Sequence, residues 1–288
     1  MAQEPSARGR RRFSRRTFIK AVVGAGAAAA AGAAVDALLV EPGWIKVTRP
    51  TARIPSLPRA WDGATIALLT DFHRGRLIGI DHIRRAVELA NDARPDVMAL
   101  LGDYVSRADA ITAEYGKLLG TLRAPLGVFG VLGNHDYWTN VGAVEAMLAG
   151  AGVRLLTNRH EILRRDGAPL CLAGVDDLWT GRPDLAAALA AADPSVPRIL
   201  LCHNPDYAEE IPPTPRVDVM LCGHTHGGQV KIPFGGRPRL PIEHAKYAAG
   251  WAAGPHCAVY TSVGLGMVGI PVRFNCRPEL TVLSLRSG

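Results

Sequence analysis

The chain has 288 residues, 48% of them hydrophobic and 20% charged, an ordinary composition for a globular protein able to bury a sizeable core. Its formal net charge of +7 sits almost wholly in the first 20 residues, where Arg8, Arg10, Arg11, Arg12, Arg15, Arg16 and Lys20 face Glu4 alone. Setting those aside leaves 26 of the 33 basic and 25 of the 26 acidic groups, so the charge gives no ground for nucleic-acid binding by the folded part. Residues 1–37 read as a leader: a basic head, then an Ala/Gly-rich, weakly apolar run with small residues suited to cleavage near Ala33 or Ala37. The run is also long enough to span a bilayer, so residues 18–40 read either as part of an export signal or as an uncleaved membrane anchor. Residues 38–62, rich in proline and without a periodic apolar face, read as an extended linker into a domain at 63–288.

From Ala64 onward short apolar runs alternate with segments of helical spacing. TIALLT, VMALLG, GVFGVLG, PLCLAGV, RILLCH and VDVMLCG read as buried strands. Ile83, Ala86, Val87 and Ala90 mark one face of a helix, with Asp81 as its expected N-cap and Pro95 beyond its end. Three β-rich runs close the chain, CAVYTSVG, GIPVRFN and ELTVLSL. The pattern predicts an α/β fold built as a layered sandwich. Five cysteines show no C-x-x-C spacing; Cys171, Cys202 and Cys222, in apolar runs, read as small core residues, and a Cys257 to Cys276 disulfide is permitted by an oxidising compartment and argued by nothing else.

The residues that end these runs carry chemistry. In order they are Asp71 and His73, Asp103, Asn134 with His135 and Asp136, His203, and His224 with His226. In α/β sheets the ligand crevice lies beyond the carboxyl ends of the strands, so the five groups are expected to converge. Two carboxylates, one amide and four imidazoles are too many for one tetrahedral ion and suit two cations sharing a bridge. Residues two apart on an extended backbone point the same way, which would aim Asp71 with His73 and His224 with His226. Gly223, Gly227 and Gly228 would let the backbone turn and approach closely there.

These motifs, D-x-H, G-D, G-N-H-D, a lone His after a strand, and G-H-x-H, resemble in content and order the calcineurin-like metallophosphoesterases. The resemblance implies a four-layer α-β-β-α sandwich with mixed sheets and two metals at the strand ends. It implies that Asp71, His73 and His226 hold one divalent ion, that Asn134, His203 and His224 hold the other, and that Asp103 bridges them. With no thiolate among the ligands, Mn, Fe, Zn and Co all remain open. The leader Ser14-Arg15-Arg16-Thr17-Phe18-Ile19-Lys20 resembles a twin-arginine signal, which implies the twin-arginine export machinery as a partner and a location in the periplasm or anchored on the outer side of the cytoplasmic membrane. Leader and GHTHGGQ together resemble exported bacterial phosphodiesterases, some relatives of which cleave the pyrophosphate of a UDP-linked, acylated glucosamine.

Two cations about 3.5 to 4 Å apart would lower the pKa of a water between them for in-line attack on phosphorus. His135 is the candidate general acid for the leaving group, and Asp136 would orient it or else cap a helix. The expected reaction is metal-dependent hydrolysis of a phosphodiester or pyrophosphate by a bridging hydroxide, on a lipid-linked or cell-envelope substrate. A phosphomonoesterase or nucleotidase, or a non-catalytic metal scaffold on the same fold, are the alternatives. The Gly/Pro-rich loop at 227–256 is a candidate lid, with Lys231, Arg237, Arg239, Lys246, Phe234, Tyr247 and Trp251 suited to an anionic substrate with an apolar part. His82, His160, His244 and His256 match no motif and are expected to be structural.

Overall fold

The computed structural model describes residues 14–288; the first 13 residues of the expected leader lie outside the described residues. Helix α1 (Arg15–Val35) is capped by Ser14, whose hydroxyl accepts the Thr17 N–H at 3.1 Å, and buries none of its residues. A wider turn at Asp36–Val40 continues it. There follow in chain order β1 (Lys46–Thr48), β2 (Thr51–Ile54), β3 (Thr65–Leu69), α2 (Ile80–Asp92), β4 (Val97–Leu101), α3 (Ala113–Leu119) and β5 (Val128–Val131). Then come α4 (Asn134–Gly150), β6 (Arg154–Leu155), β7 (Arg159–Arg165), β8 (Ala168–Gly174), α5 (Leu185–Ala188) and β9 (Arg198–Leu201). The last strands are β10 (Val219–Cys222), β11 (Gly250–Ala253), β12 (Ala258–Thr261) and β13 (Glu279–Ser287).

The strands form two mixed sheets. One runs β1-β13-β3-β4-β5-β6 with β2 also on β13; the other runs β11-β12-β10-β9-β8-β7. Within the first, β3 to β6 are parallel and β13 is antiparallel to β3. Within the second, β8, β9, β10 and β12 are parallel between antiparallel edges.

Successive residues of a strand face opposite sides, and here both sides are dry. Leu69, Met98 and Leu100 pack against Ile83, Val87 and Leu148 of the helices. Their neighbours Leu68, Ala99 and Leu101 pack between the sheets against Leu172, Leu201 and Leu221. On the far side Ala173, Leu200 and Met220 meet Leu185, Ala188 and Tyr207. Three apolar layers between four structural layers give the α-β-β-α sandwich, and burial on both faces is why the strands read as unbroken apolar runs.

Three expectations need correction. Residues 38–62 are extended only in part, with helical turns at Asp36–Val40, Glu41–Gly43 and Arg59–Trp61, and they pack on the domain: β1 and β2 pair in parallel with β13, and Trp61 is fully buried with its indole N–H on Ala168 O. Gly79, not Asp81, caps α2; Asp81 stands in the first turn, where its charge still favours the helix dipole. Of the three closing β-rich runs, GIPVRFN is no strand, because Arg273 is buried there and spends its donors on loop carbonyls. All five cysteines are free and buried, so the pairing of Cys257 with Cys276, which the sequence left open, is not made.

Candidate metal centre

Strands β3, β4, β5, β9 and β10 deliver their carboxyl ends to one rim, each finishing two or three residues before Asp71, Asp103, Asn134, His203 or His224. Beyond the strands the backbone does not stay extended. Asp71, His73, Asp103, His224 and His226 have φ of 53°, 46°, 55°, 69° and 50°, the left-handed region that non-glycine residues avoid at roughly 1–3 kcal/mol each. This corrects the expectation for the two-apart pairs: left-handed turns, and not strand alternation, aim them at a common point.

Cross-connections hold these turns. The main-chain N–H groups of Asp71 and His73 donate to Gly102 O and Asp103 O, both at 3.0 Å, and the His224 N–H donates to the Asp71 carboxylate at 3.0 Å. The close approach dictates two motif glycines: a Cβ on Gly223 would collide with Thr70 Oγ1 and Asp71 Oδ2, and one on Gly133 with Asp103.

The side chains converge in overlapping sets. Asp71, His73 and His226 offer ligand atoms within 4.8 Å of one another, as do Asp103, His203 and His224, and as do His73, Asp103 and His135. Asp103 Oδ2 lies 3.3 Å from His73 Nε2 and 3.2 Å from His203 Nε2, between the two sets. Asp71 Oδ1 lies 3.3 Å from His226 Nε2, which is 2.9 Å from His73 Nε2. Asn134, the first residue of α4, is buried beside them, and its Oδ1 finds no donor.

The donor set fits divalent cations for reasons visible in its hydrogen bonds. His203 Nδ1 donates to Leu101 O at 2.7 Å and His224 Nε2 to Pro241 O at 2.9 Å, which leaves the other nitrogen of each ring facing the centre. Carbonyl partners of this kind fix the tautomer and orientation of ligand imidazoles. His73 Nδ1 is held in the same way by Ser106 Oγ at 2.9 Å. An orphaned amide oxygen, a shared carboxylate oxygen and converging imidazole nitrogens together make the clusters able to hold metal.

Burial sets much of the electrostatics. It pushes His73 and His224 down to about 3, holds His226 well below its ordinary value, and lifts the Asp71 carboxyl to about 6. For Asp103 burial works upward but is outweighed by His203 and His73, which hold it well below the ordinary carboxylate range. Conversely, burial works to lower His203, but Asp103 beside it holds its proton well above the usual value.

His135 donates its main-chain N–H to Asp103 Oδ1 at 2.9 Å, while its ring stands edge-on to His73 and to Trp138. Asp136 differs from expectation. Its two oxygens accept the N–H groups of Gly133, Asp103 and Tyr104, all at 2.9 Å, and not the His135 ring. It therefore fixes the β4 and β5 loops against each other and starts α4, a positioning role that the helix-capping alternative had half described.

A family model described as calcineurin-like phosphoesterase matches residues 64–228, from just before β3 to just after His226. The chain is 32% identical over 284 residues to the uncharacterized metallophosphoesterase YkuE of Bacillus subtilis, a match covering 96% of this chain and 99% of that protein. It is 34% identical over 251 residues to the phosphodiesterase YaeI of Escherichia coli, covering 85% and 90% respectively. A transmembrane protein with a metallophosphoesterase domain from Bos taurus is 32% identical over 262 residues, covering 84% of this chain and 57% of that protein. The chain belongs to the calcineurin-like phosphoesterase family. It is a metal-dependent phosphoester hydrolase.

Above the metal clusters this phosphoesterase has a cavity of about 670 Å³, floored by Asp103, Asn134, His135, His224 and His226. Trp138, Trp179, Val230, Leu240, Val268 and Ile270 supply apolar walls, and Arg239 adds a cation. The volume lies within the range of small-molecule sites. Of the 227–256 loop, only the stretches at 228–230 and 238–241 line the cavity. Tyr247 is buried with its hydroxyl on Glu209, and Trp251 packs edge-on to Tyr260, so both tuck into the fold. Tyr137 donates its hydroxyl to Asp176, whereas Trp138 stands in the wall. His82, His160 and His244 bond Leu265 O, Ala188 O and Asp206, structural contacts away from the clusters.

Three residues escaped the motif reading. Ser106 orients His73. Asp177 is fully buried and turns the chain with Oδ2 on the N–H groups of Trp179 and Thr180, setting the Trp179 ring edge-on to His224 at 4.4 Å between centroids. Arg273, also fully buried, donates to the carbonyls of Val263, Gly264, Gly266 and Cys276. The loop it gathers lies against Asp71, whose carbonyl accepts the Gly266 N–H. The run V-D-D-L-W offered a sequence signal for Asp177; a lone arginine offers none for Arg273.

Proposed function

We propose that the chain is a dinuclear phosphodiesterase in which Asp71, His73 and His226 hold one divalent ion, Asn134, His203 and His224 hold the other, and Asp103 bridges them. The observation that carries this reading is the placement of Asp103 Oδ2 within 3.3 Å of His73 and 3.2 Å of His203, one oxygen serving two ligand sets. When bound, such a pair of cations supplies a water deprotonated near neutral pH and neutralises phosphoryl oxygens in an in-line displacement. The protein's own part is to aim seven donors, wall the cavity with Trp138 and Trp179, and present the His135 ring from the cavity floor to protonate the leaving oxygen. Manganese, iron, zinc and cobalt all match this mixed nitrogen and oxygen donor set.

A diester or pyrophosphate is favoured over a phosphomonoester because the wall beside the metals is apolar with one arginine, Arg239, and so suits a second substituent on phosphorus. The same wall favours a lipid-linked or cell-envelope substrate, such as a UDP-linked diacylglucosamine. The name of the Escherichia coli relative, a phosphodiesterase, points the same way. Residues 1–37 act as a twin-arginine leader or anchor, which puts the catalytic domain outside the cytoplasmic membrane. One helix, reaching from Arg15 to Gly43, is long and apolar enough to cross a bilayer, a property signal sequences share.

The test is hydrolysis of bis-p-nitrophenyl phosphate by full-length protein with and without added manganese, alongside metal analysis. Metal-dependent turnover with two ions per chain, lost in Asp103→Ala, is the expected result. Turnover indifferent to metal, or surviving that substitution, would remove the dinuclear reading.

A further inference from the structure

The exposed apolar residues of the catalytic domain include a pair that no wall explains. In the turn at residues 230–236, closed by Ile232 N–H on Gly236 O at 2.8 Å, Phe234 projects fully into solvent and Ile232 is 45% exposed. Neither lines the cavity. Burying side chains of this size is worth about 1.5–3 kcal/mol each, so their shared projection is unfavourable in water.

The surroundings of the turn narrow what covers it. Lys231 N–H donates to Phe274 O at 2.8 Å, Phe274 N–H to Gln229 O at 2.9 Å, and the neighbouring Arg273 N–H to Ala37 O at 3.1 Å. Glu41, buried, accepts the Asn275 N–H at 2.8 Å. Main-chain bonds thus tie the carboxyl end of the α1 helix to the base of the turn. Gln229 continues the frame into the cavity wall through Val268 O at 3.0 Å.

α1 has no charged side chain between Lys20 and Val35 and buries nothing. Twenty-one helical residues span about 30 Å, a bilayer's hydrocarbon thickness. The cations Arg15, Arg16 and Lys20 lie at its amino end, the arrangement that keeps that end cytoplasmic and puts the domain across the membrane. Along the turn itself, Lys231, Arg237 and Arg239 occur with no acidic residue between Gln229 and Ile242. Asp36, Glu41 and Glu279 line a neighbouring pocket with Lys231 and Arg237, but Lys46 and Arg277 stand there too, and the balance stays positive, a charge suited to anionic headgroups.

We propose that α1 is retained as an anchor and that the Ile232–Phe234 turn inserts into the leaflet from which its carboxyl end emerges. The turn is then a second membrane contact, and the cavity opens at headgroup level, where an amphiphilic phosphodiester presents its phosphate without leaving the bilayer. The insertion stands on the exposed turn and its tie to α1; only the substrate consequence rests on the phosphodiesterase reading above.

Full-length protein is reconstituted into vesicles of phosphatidylethanolamine and phosphatidylglycerol. In Phe234→Trp the emission gained over wild type is expected to be blue-shifted and quenched by lipids brominated on their acyl chains. A water-exposed, unquenched signal overturns the proposal whatever the activity. In the paired Ile232→Ser, Phe234→Ser variant, hydrolysis of an acylated phosphodiester in the vesicle is expected to fall on the order of tenfold while bis-p-nitrophenyl phosphate turnover is unchanged. Loss in neither assay, or equal loss in both, overturns it. Failure of wild type on the soluble diester would instead count against the phosphodiesterase reading and leave the quenching result to decide insertion.

Discussion

The Nε2 of His203 faces the Nδ1 of His224 at 3.1 Å, and the other nitrogen of each ring is already committed to a main-chain carbonyl. Two imidazoles so arranged can share either one proton or one cation between them. Without metal, Asp103 raises His203 well above its ordinary value, so a proton is expected at the position that the proposed cation would take.

Metal binding should therefore release protons. A His held above its ordinary value keeps its proton from about pH 6.5 upward into the raised range, and the proton must leave for a cation to enter. Affinity should rise with pH by about tenfold per unit through that interval. Asp71, lifted to about 6, adds a second displaced proton below pH 6. Titration calorimetry of metal-free protein with manganese in buffers of different ionisation enthalpy gives the count. A count of zero at pH 7 would refute the shared-proton description.

Removal of the His135 imidazole should separate chemistry from metal binding. Its ring lies at the cavity floor, and its contact with Asp103 runs through the main chain, which His135→Ala keeps. The expected loss in kcat is about 10²–10⁴-fold for a diester with an alkoxide leaving group, and smaller for p-nitrophenolate, which departs without a proton. Metal content should match wild type. Equal losses for both leaving groups would argue against a general acid.

Asp136→Asn tests the corrected role of that residue. The one amide oxygen can keep the N–H groups of Gly133 and Asp103, but the NH₂ then faces the N–H of Tyr104, the residue after Asp103, which lacks an acceptor. A loss of about 1–3 kcal/mol in unfolding free energy is expected, with weaker metal retention because the Asp103 loop is released. Were Asp136 instead a catalytic partner of His135, kcat would fall with stability unchanged.

What could be read from the sequence, and what could not, divides along a physical line. Strands buried on both faces have to be apolar throughout, so TIALLT or VDVMLC announced themselves, and the polar residue at each end stood out against them. The seven metal-ligand candidates were visible for that reason. Leu101 O and Pro241 O, which set the tautomers of His203 and His224, were not, since every residue carries a carbonyl. The left-handed backbone at Asp71 and His73 was hidden as well, because neighbouring loops impose it against local preference. β1 and β2 were missed because three and four residues show no period and their pairing partner β13 lies more than 200 residues away.

The proposed leader makes a prediction independent of the metals. Exchange of both Arg15 and Arg16 for lysine keeps the charge and removes the paired guanidinium groups by which a twin-arginine signal is read. The protein should then accumulate in the cytoplasm, as seen by fractionation and protease accessibility of intact cells. Unchanged export would assign the leader to another route.

Arg273 offers the sharpest test of how the fold supports the site. Its guanidinium is fully buried, has no carboxylate within salt-bridge distance among the described residues, and donates instead to the carbonyls of Val263, Gly264, Gly266 and Cys276. Desolvation opposes the charge and lowers its pKa, yet the fork of donors gathers a loop whose Gly266 N–H holds the Asp71 carbonyl. Arg273→Leu removes the charge but orphans four carbonyls, for an expected loss of about 3–5 kcal/mol in unfolding free energy. Metal affinity should fall with it, because Asp71 would relax from its left-handed conformation. Arg273→Lys, with three donors that cannot reach four acceptors, should lie between the two. Denaturant unfolding and metal titration on the same samples measure both effects; a leucine variant as stable as wild type would show that the loop is held by packing alone.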